Sequence, residues 1–403
     1  MLSWKKFKLS DCLTKVERPV EVVLDKHYAQ IGIRSHGKGL FHKESVTGEE
    51  LGNKAVYWVE PDCFVLNIVF AWEQAVGKTT SAEAGMIASH RFPMYRPKDN
   101  LVDIDYLISF FMTKRGKEVL EAASPGGAGR NRTLGQERFL NSVITLPPIA
   151  EQQKIAEILS TQDRVIELKT KLLEEKKHLK KYLCQVLLSE ENLFEGKKIL
   201  FKELFEFLNN NSYSRAQMNE SGTIYNVHYG DILTKYGEIL DAKKDEVSCI
   251  CDNINLSKYD RLQNGDIIFA DTAEDLLVGK STELKNVGNK HIIAGLHTIA
   301  ARPIKDCFIP GWLGHYTNSP SYRRQLHTCA QGSKVISILR KDINDTIVAV
   351  PDKAIQKKVV TVLEVISDEI KKIRIVIEQE KLKKKALMQQ LLTGKVRVTG
   401  KEL

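Results

Sequence analysis

LPPIAEQQKIAEILSTQDRVIELKTKLLEEKKHLKKYLCQVLLS (146–189) aligns without a gap with VPDKAIQKKVVTVLEVISDEIKKIRIVIEQEKLKKKALMQQLLT (350–393). At a constant offset of 204, Pro147 meets Pro351, Gln152 meets Gln356, Leu159 meets Leu363, and Leu187 meets Leu391. After Pro148 and Pro351 each copy runs about forty residues without Pro or Gly, the two residues that break a helix most often. Leu159, Ile166, Leu173 and Leu187 in the first copy, and Leu363, Ile370, Ile377 and Leu391 in the second, recur at heptad spacing. Ile158, Val165, Leu172, Leu179 and Val186 form a flanking column. Two adjacent apolar columns make a wide stripe, which suits a long helix packed on another helix. At 1.5 Å per residue each helix is roughly 60 Å long. The eight residues of the first columns are the expected seam, with the two helices paired antiparallel or crossed in a pseudo-twofold arrangement.

The stretches ahead of each helix also echo one another. FKLSDCL (7–13) resembles FKELFEFL (201–208), GKTT (77–80) recurs as GKST (279–282), and His90 and His297 precede Arg96-Pro97 and Arg302-Pro303. Drifting offsets are what loop insertions between shared core elements produce. The chain therefore reads as a first domain 1–147, central helix 148–190, second domain 191–350, and distal helix with tail 351–403. KAVYWV (54–59), FVLNIV (64–69), DIIFA (266–270) and KVISIL (334–339) read as short strands, and 103–122 and 310–326 as helical. The expected class is mixed α/β, two similar globular domains joined and spaced by two long helices.

The 403 residues carry 60 Lys and Arg against 51 Asp and Glu, a formal charge of +9. That surplus permits a polyanionic partner without requiring one. Seven cysteines lie scattered at 12, 63, 184, 249, 251, 307 and 329 with no Cys-x-x-Cys pair, so neither a disulfide framework nor a structural zinc site has support. No apolar run approaches the ~20 residues of a membrane span, and the start has no signal-peptide core. A reducing cytoplasm is the expected compartment.

Catalytic motifs are not found. A phosphate loop needs glycine five residues before the Gly of Gly-Lys-Ser/Thr, but those places hold Trp72 and Glu274. LPPI (146–149) lacks the flanking Asn or Asp and aromatic residue of an adenine-binding segment, and reads as a sharp lead into the helix. The ten histidines include no metal-ligand or triad spacing. No catalytic residue and no metal ligand is assigned.

LPPIAEQQKIAEIL, VPDKAIQKKVVTVL, the ending ALMQQLLTGKVRV (386–398), and GDIIFADTAEDLLVGKSTEL (265–284) with its counterpart 60–82 resemble the specificity subunits of type I restriction-modification enzymes. The resemblance spans essentially the whole chain; PDKA (351–354) departs from the usual Pro-Pro-x-x-Glu-Gln run. It implies two target-recognition domains on double-stranded DNA and paired helices that set the gap between half-targets. Two modification subunits would dock on the helices, with up to two restriction subunits outside them. S-adenosylmethionine, ATP and Mg²⁺ would belong to those partners, and this chain would bind no cofactor. DNA-imitating acidic inhibitors are a further expected partner, motivated only by charge.

Base reading requires donors and acceptors on protruding elements, with cations on phosphates to fix register. RSHGKGLFHKES (34–45) offers Arg34, His36, Lys38, His42 and Lys43 on a glycine-bearing loop. PGGAGRNRTL (125–134) offers Arg130 and Arg132, and the GKTT turn offers Lys78 and Thr79. By analogy the second half offers Lys280, Ser281 and Lys334, together with the amide-rich NNNSYSRAQ (209–217). The rival readings are a scaffold with only nonspecific DNA binding, and an enzyme hidden in divergent domains. Neither explains why domain and helix are duplicated together.

Overall fold

The computed structural model describes residues 3–126, 132–193, 196–219, 221–250, 255–332 and 334–398. The chain divides into two compact units, Met1–Thr170 with Ile375–Leu403, and Lys171–Arg374. Each unit thus takes part of both long helices, Ile149–Leu187 and Lys353–Leu391, which the sequence reading had set apart as separate segments. The reason lies in the cores. Ile155, Ala156, Leu159, Leu391 and Leu392 complete the core of the first unit, and Leu188, Val359, Val360 and Leu363 that of the second.

In the first unit, β1 (Lys5–Lys8), β2 (Leu13–Val16), β3 (His27–Ile33), β4 (Leu40–Thr47), β5 (Val56–Trp58), β6 (Phe64–Leu66), β7 (Val76–Lys78), β8 (Ile87–Ser89), β9 (Met94–Pro97) and β10 (Val143–Leu146) form three sheets. Their orders are β1-β10, β2-β9-β6-β7 and β4-β3-β8-β5, with β3 and β8 parallel.

The second unit holds β11 (Lys197–Leu200), β12 (Phe205–Leu208), β13 (Met218–Asn219), β14 (Ile224–Val227), β15 (Ile239–Asp241), β16 (Cys249–Ile250), β17 (Ile267–Ala270), β18 (Thr272–Ala273), β19 (Ser281–Lys285), β20 (His291–Ala294), β21 (Thr298–Pro303), β22 (Ile336–Ser337) and β23 (Ile347–Val350). Here the orders are β11-β23, β12-β21-β17-β19-β15, β13-β16-β14-β20 and β18-β22, with β14 and β20 parallel. Strand for strand, β2-β9-β6-β7 corresponds to β12-β21-β17-β19, and β4-β3-β8 to β16-β14-β20.

Both anticipated domain helices break in two. The first becomes Ile104–Phe111 and Lys114–Ala122, because Thr113 turns its side chain to accept from Gly116 N and caps the second piece. The second becomes Trp312–Thr317 and Pro320–Cys329, where Ser319 caps Tyr322 N ahead of Pro320.

Inside the first unit the long helices run antiparallel. Gln162 Nε2 donates to Glu380 Oε2 at 2.8 Å, Lys384 meets Asp163 at 2.5 Å, and Lys169 approaches Glu380 at 3.8 Å. Inside the second unit Lys176 pairs with Glu369 at 2.7 Å. The lysines that interrupt the apolar columns are thereby matched by carboxylates, Lys180 by Glu238 of the adjoining domain at 2.7 Å. Burial pushes the Glu238 carboxyl up, but the Lys180 ammonium and His315 outweigh it and bring the group down to about 2. Leu159, Leu173, Leu363, Ile370, Ile377 and Leu391 are buried, and Ile166 and Leu187 half-buried. The flanking column stays partly in water, with Leu172, Leu179 and Val186 exposed beside Leu168 and Tyr182.

Candidate nucleic-acid interface

The β3–β4 turn of the first unit is built by residues that tolerate left-handed backbone. His36, Gly37 and Gly39 have φ of 60°, 63° and 71°, and a Cβ on Gly37 would fall 2.1 Å from Met112 Sδ. The turn is braced on the β6–β7 tip, with His36 N donating to Glu73 O at 2.8 Å and Gly37 N to Gln74 O at 3.0 Å. Ser35 Oγ adds a bond to Glu73 Oε2 at 2.8 Å. Rigid support leaves Arg34, His36 and Lys38 exposed along the turn, Arg34 lying 4.7 Å over the Phe41 ring. His42 and Lys43 are exposed farther along β4. His42 Nε2 sits 3.0 Å from Glu83 Oε1, and Lys43 5.5 Å from the Phe92 ring centre.

A second basic loop joins this surface. Leu134 N donates to Ile68 O at 2.8 Å, tying the segment after Lys114–Ala122 to the β6–β7 tip. Arg132 lies 5.6 Å over the Trp72 ring on that tip. Arg130 lies outside the described residues. The second unit repeats the tie, with Ile338 N donating to Asp271 O at 2.9 Å, and places exposed Lys334 on the matching loop.

The Gly-Lys turns do not fit the role expected of them. Thr79 is fully buried and bonds Cys63 N at 3.0 Å and Glu60 O at 2.6 Å, while Ser281 is fully buried against Thr317 Oγ1 at 2.6 Å. Their hydroxyls hold the sheet together and do not face solvent. Lys280 turns inward to the carbonyls of Leu233 and Tyr236, both at 3.0 Å, and burial draws its ammonium below the usual range. Lys78 is half-buried in an ion pair with Asp105 at 2.8 Å.

Nor are the two turns structural equivalents. Lys78 lies opposite Phe64, and Phe64 opposite Tyr95; Glu283 lies opposite Ile267, and Ile267 opposite Ala301. Tyr95 and Ala301 each stand two residues before the matched Pro97 and Pro303, so Lys78 corresponds to Glu283. Both reach the start of the neighbouring helix, a basic side chain in one unit and an acidic one in the other. Glu283 accepts from Gly311 N at 2.6 Å and Gly314 N at 2.9 Å, where Lys78 meets Asp105. Burial pushes the Glu283 carboxyl up to about 7 against those two amide donors.

Sequence reasoning also placed the 209–217 amides among base readers. Instead, Asn211 is buried with Nδ2 on Asn226 Oδ1 and Ala294 O, both at 2.8 Å, and Asn210 reaches Gly295 O at 3.3 Å. They tie the segment that follows β12 to the β14–β20 pair. Two residues past β14, Tyr229 opens a short helix (Tyr229–Thr234), and its ring lies 4.7 Å from His228 and 5.3 Å from exposed His297. A parallel β14/β20 pairing brings the two strand ends together, and no local pattern signals it.

Among the described residues no group of three or more His, Cys, Asp or Glu side chains converges to hold a metal, and no helix is long and apolar enough to cross a membrane. Residues 47–177 match the family described as type I restriction modification DNA specificity domain. A putative type I restriction enzyme MjaX specificity subunit from Methanocaldococcus jannaschii is 24% identical over 351 residues, 81% of this chain and 76% of the relative. The fold is similar to that of the HsdS subunit from Thermoanaerobacter tengcongensis, with a TM-score of 0.52, 14% identity, and 98% and 97% of the two chains covered. It is also similar to that of a type I restriction-modification S subunit from M. genitalium, with a TM-score of 0.54, 13% identity and 96% of each chain covered.

Proposed function

We infer that this chain, a specificity subunit of a type I restriction-modification system that recognises DNA sequence, reads a two-part target with one half assigned to each compact unit. The observation that carries this reading is a repeated surface. In both units a hairpin tip, β6–β7 or β17–β19, is tied by one backbone hydrogen bond to a loop bearing Arg132 or Lys334. Exposed Arg34, His36 and Lys38 extend it in the first unit. Cations on phosphates give register, and the hairpins approach base edges.

The long helices set the unread gap and receive the modification subunits. The second role is supported by the exposed column Leu172, Leu179, Tyr182 and Val186 of the second unit, an apolar face that the fold leaves uncovered. Methylation and ATP-driven restriction, with S-adenosylmethionine, ATP and Mg²⁺, are assigned to two modification and up to two restriction subunits. Such an assembly works in the cytoplasm. Acidic DNA-imitating proteins would compete for the basic turns.

Competitive anisotropy with the assembled complex tests this. A cognate fragment should resist nonspecific competitor as salt rises, because base contacts are less salt-sensitive than phosphate contacts. Equal, salt-sensitive binding of every fragment would leave the scaffold reading.

A further inference from the structure

The hairpin between β17 and β19 ends in two leucines held out in water. Leu276 is 67% and Leu277 44% exposed, and Val335, one residue ahead of the strand that pairs with Thr272–Ala273, is 54% exposed. Looseness does not explain this. Leu276 O accepts from the Arg323 guanidinium and lies 3.0 Å from His327 Nε2, and Val278 O accepts from Arg323 at 3.0 Å. Leu277 N donates to Asp275 Oδ1 at 2.8 Å, and Lys280 N to Leu277 O at 2.9 Å. The backbone of the tip is pinned at each step while its largest side chains bury little.

The first unit does the same with different residues. Its β6–β7 tip exposes Phe70, at 37%, and is braced by the β3–β4 turn through His36 and Gly37. Correspondence of the tips follows from the Leu134–Ile68 and Ile338–Asp271 hydrogen bonds. Phenylalanine in one unit and a leucine pair in the other keep bulk and apolarity without keeping identity. In each case a cation-bearing loop, with Arg132 or Lys334, runs alongside.

Leu and Phe have no hydrogen-bonding groups with which to read base edges. An apolar wedge beside a phosphate-seeking cation matches the alternation of stacked bases and charged backbone. Side chains of this kind that enter between base pairs unstack the step and bend the duplex. We propose that Leu276 and Leu277 in the second unit, and Phe70 in the first, insert at a base step within each half-target and kink it. The inference rests on the DNA-recognition reading above and adds a specificity element to it. Each half-target should hold a readily unstacked pyrimidine–purine step at the wedge, selected by deformability without a hydrogen bond.

The test uses the full chain assembled with its cognate modification subunits, and the L276S/L277S variant in the same assembly. End-to-end energy transfer on a doubly labelled cognate duplex reads the bend, and anisotropy reads affinity. Each is measured on an intact duplex and on one nicked at the wedge step, where stacking is already weakened. The unaltered complex should bend the intact duplex, whereas the variant should bind it about tenfold or more weakly and leave it straighter, since unstacking a step costs a few kcal/mol. On the nicked duplex most of that difference should vanish. Unchanged affinity and bend in the variant would overturn the proposal, and so would an equal loss on both duplexes. A folded variant chain that no longer assembles with the modification subunits would assign the leucines to a protein contact and likewise overturn it. If the unaltered complex shows no cognate preference, the recognition reading itself falls, and the wedge with it.

Discussion

Gln152 and Gln356 are fully buried and close the same three hydrogen bonds, one set in each unit. Gln152 accepts from Asp103 N and donates to Leu101 O and Pro147 O, all at 2.9 Å. Gln356 accepts from Ile309 N at 3.0 Å and donates to Cys307 O and Pro351 O, both at 2.8 Å. Each amide fastens the start of a long helix to the lead-in of a domain helix.

Gln152→Leu leaves an amide and two carbonyls without their partner in a dry site, so it should cost about 3 kcal/mol or more. Urea denaturation should show the loss in the first unit, which contains Trp58 and Trp72, and Gln356→Leu in the second, which contains Trp312. A mutation that lowered both units alike would contradict separate locks.

On the helices, burial and exposure make opposite forecasts for the same chemical change. Leu363→Ala removes a fully buried core side chain and should cost about 2–5 kcal/mol. Leu382→Ala, at a 67% exposed position, should change stability by less than about 0.5 kcal/mol. Thermal unfolding of the two variants separates them.

Lys38→Ala should weaken DNA binding by the complex for all sequences alike and lower the salt slope by about one, as expected for a phosphate contact. Thr79→Ala should lower stability through the lost bonds to Cys63 and Glu60, with DNA affinity following only through folding. Arg130→Ala should weaken specific binding while leaving subunit assembly intact.

Glu283 gives the second unit a pH dependence of definite sign. Its carboxyl lies near 7 in the fold against an ordinary 4.5, so between those values the unfolded chain releases a proton that the folded chain keeps. Stability from this group is therefore fully present below about pH 4.5, falls as pH rises, and levels off above about 7. Glu283→Gln should flatten that slope in urea midpoints measured from pH 5 to 8.

Much of the architecture was legible because a long helix writes its pattern locally. Pro147, Gln152 and Leu159 reappear at Pro351, Gln356 and Leu363 with both spacing and contacts retained. Short strands carry less information. The Gly-Lys-Thr and Gly-Lys-Ser echo suggested that Lys78 matches Lys280, but cross-strand register, which no three-residue strand encodes by itself, matches it to Glu283. Thr79 and Ser281 looked like surface turn residues, yet tertiary partners at Cys63 and Thr317 bury them. The exposed tips Phe70 and Leu276 passed unnoticed for the converse reason, since apolar residues in a sequence read as core.

Single-molecule mapping of methylated bases across a genome tests the central claim most directly, in cells expressing the chain with its cognate modification subunits. A parallel culture would carry a four-residue insertion, about one helical turn, within residues 165–180. The account predicts a two-part methylated motif with a fixed gap, and the same two half-targets with a longer gap after the insertion. A single undivided motif, or an unchanged gap in the inserted variant, would contradict it.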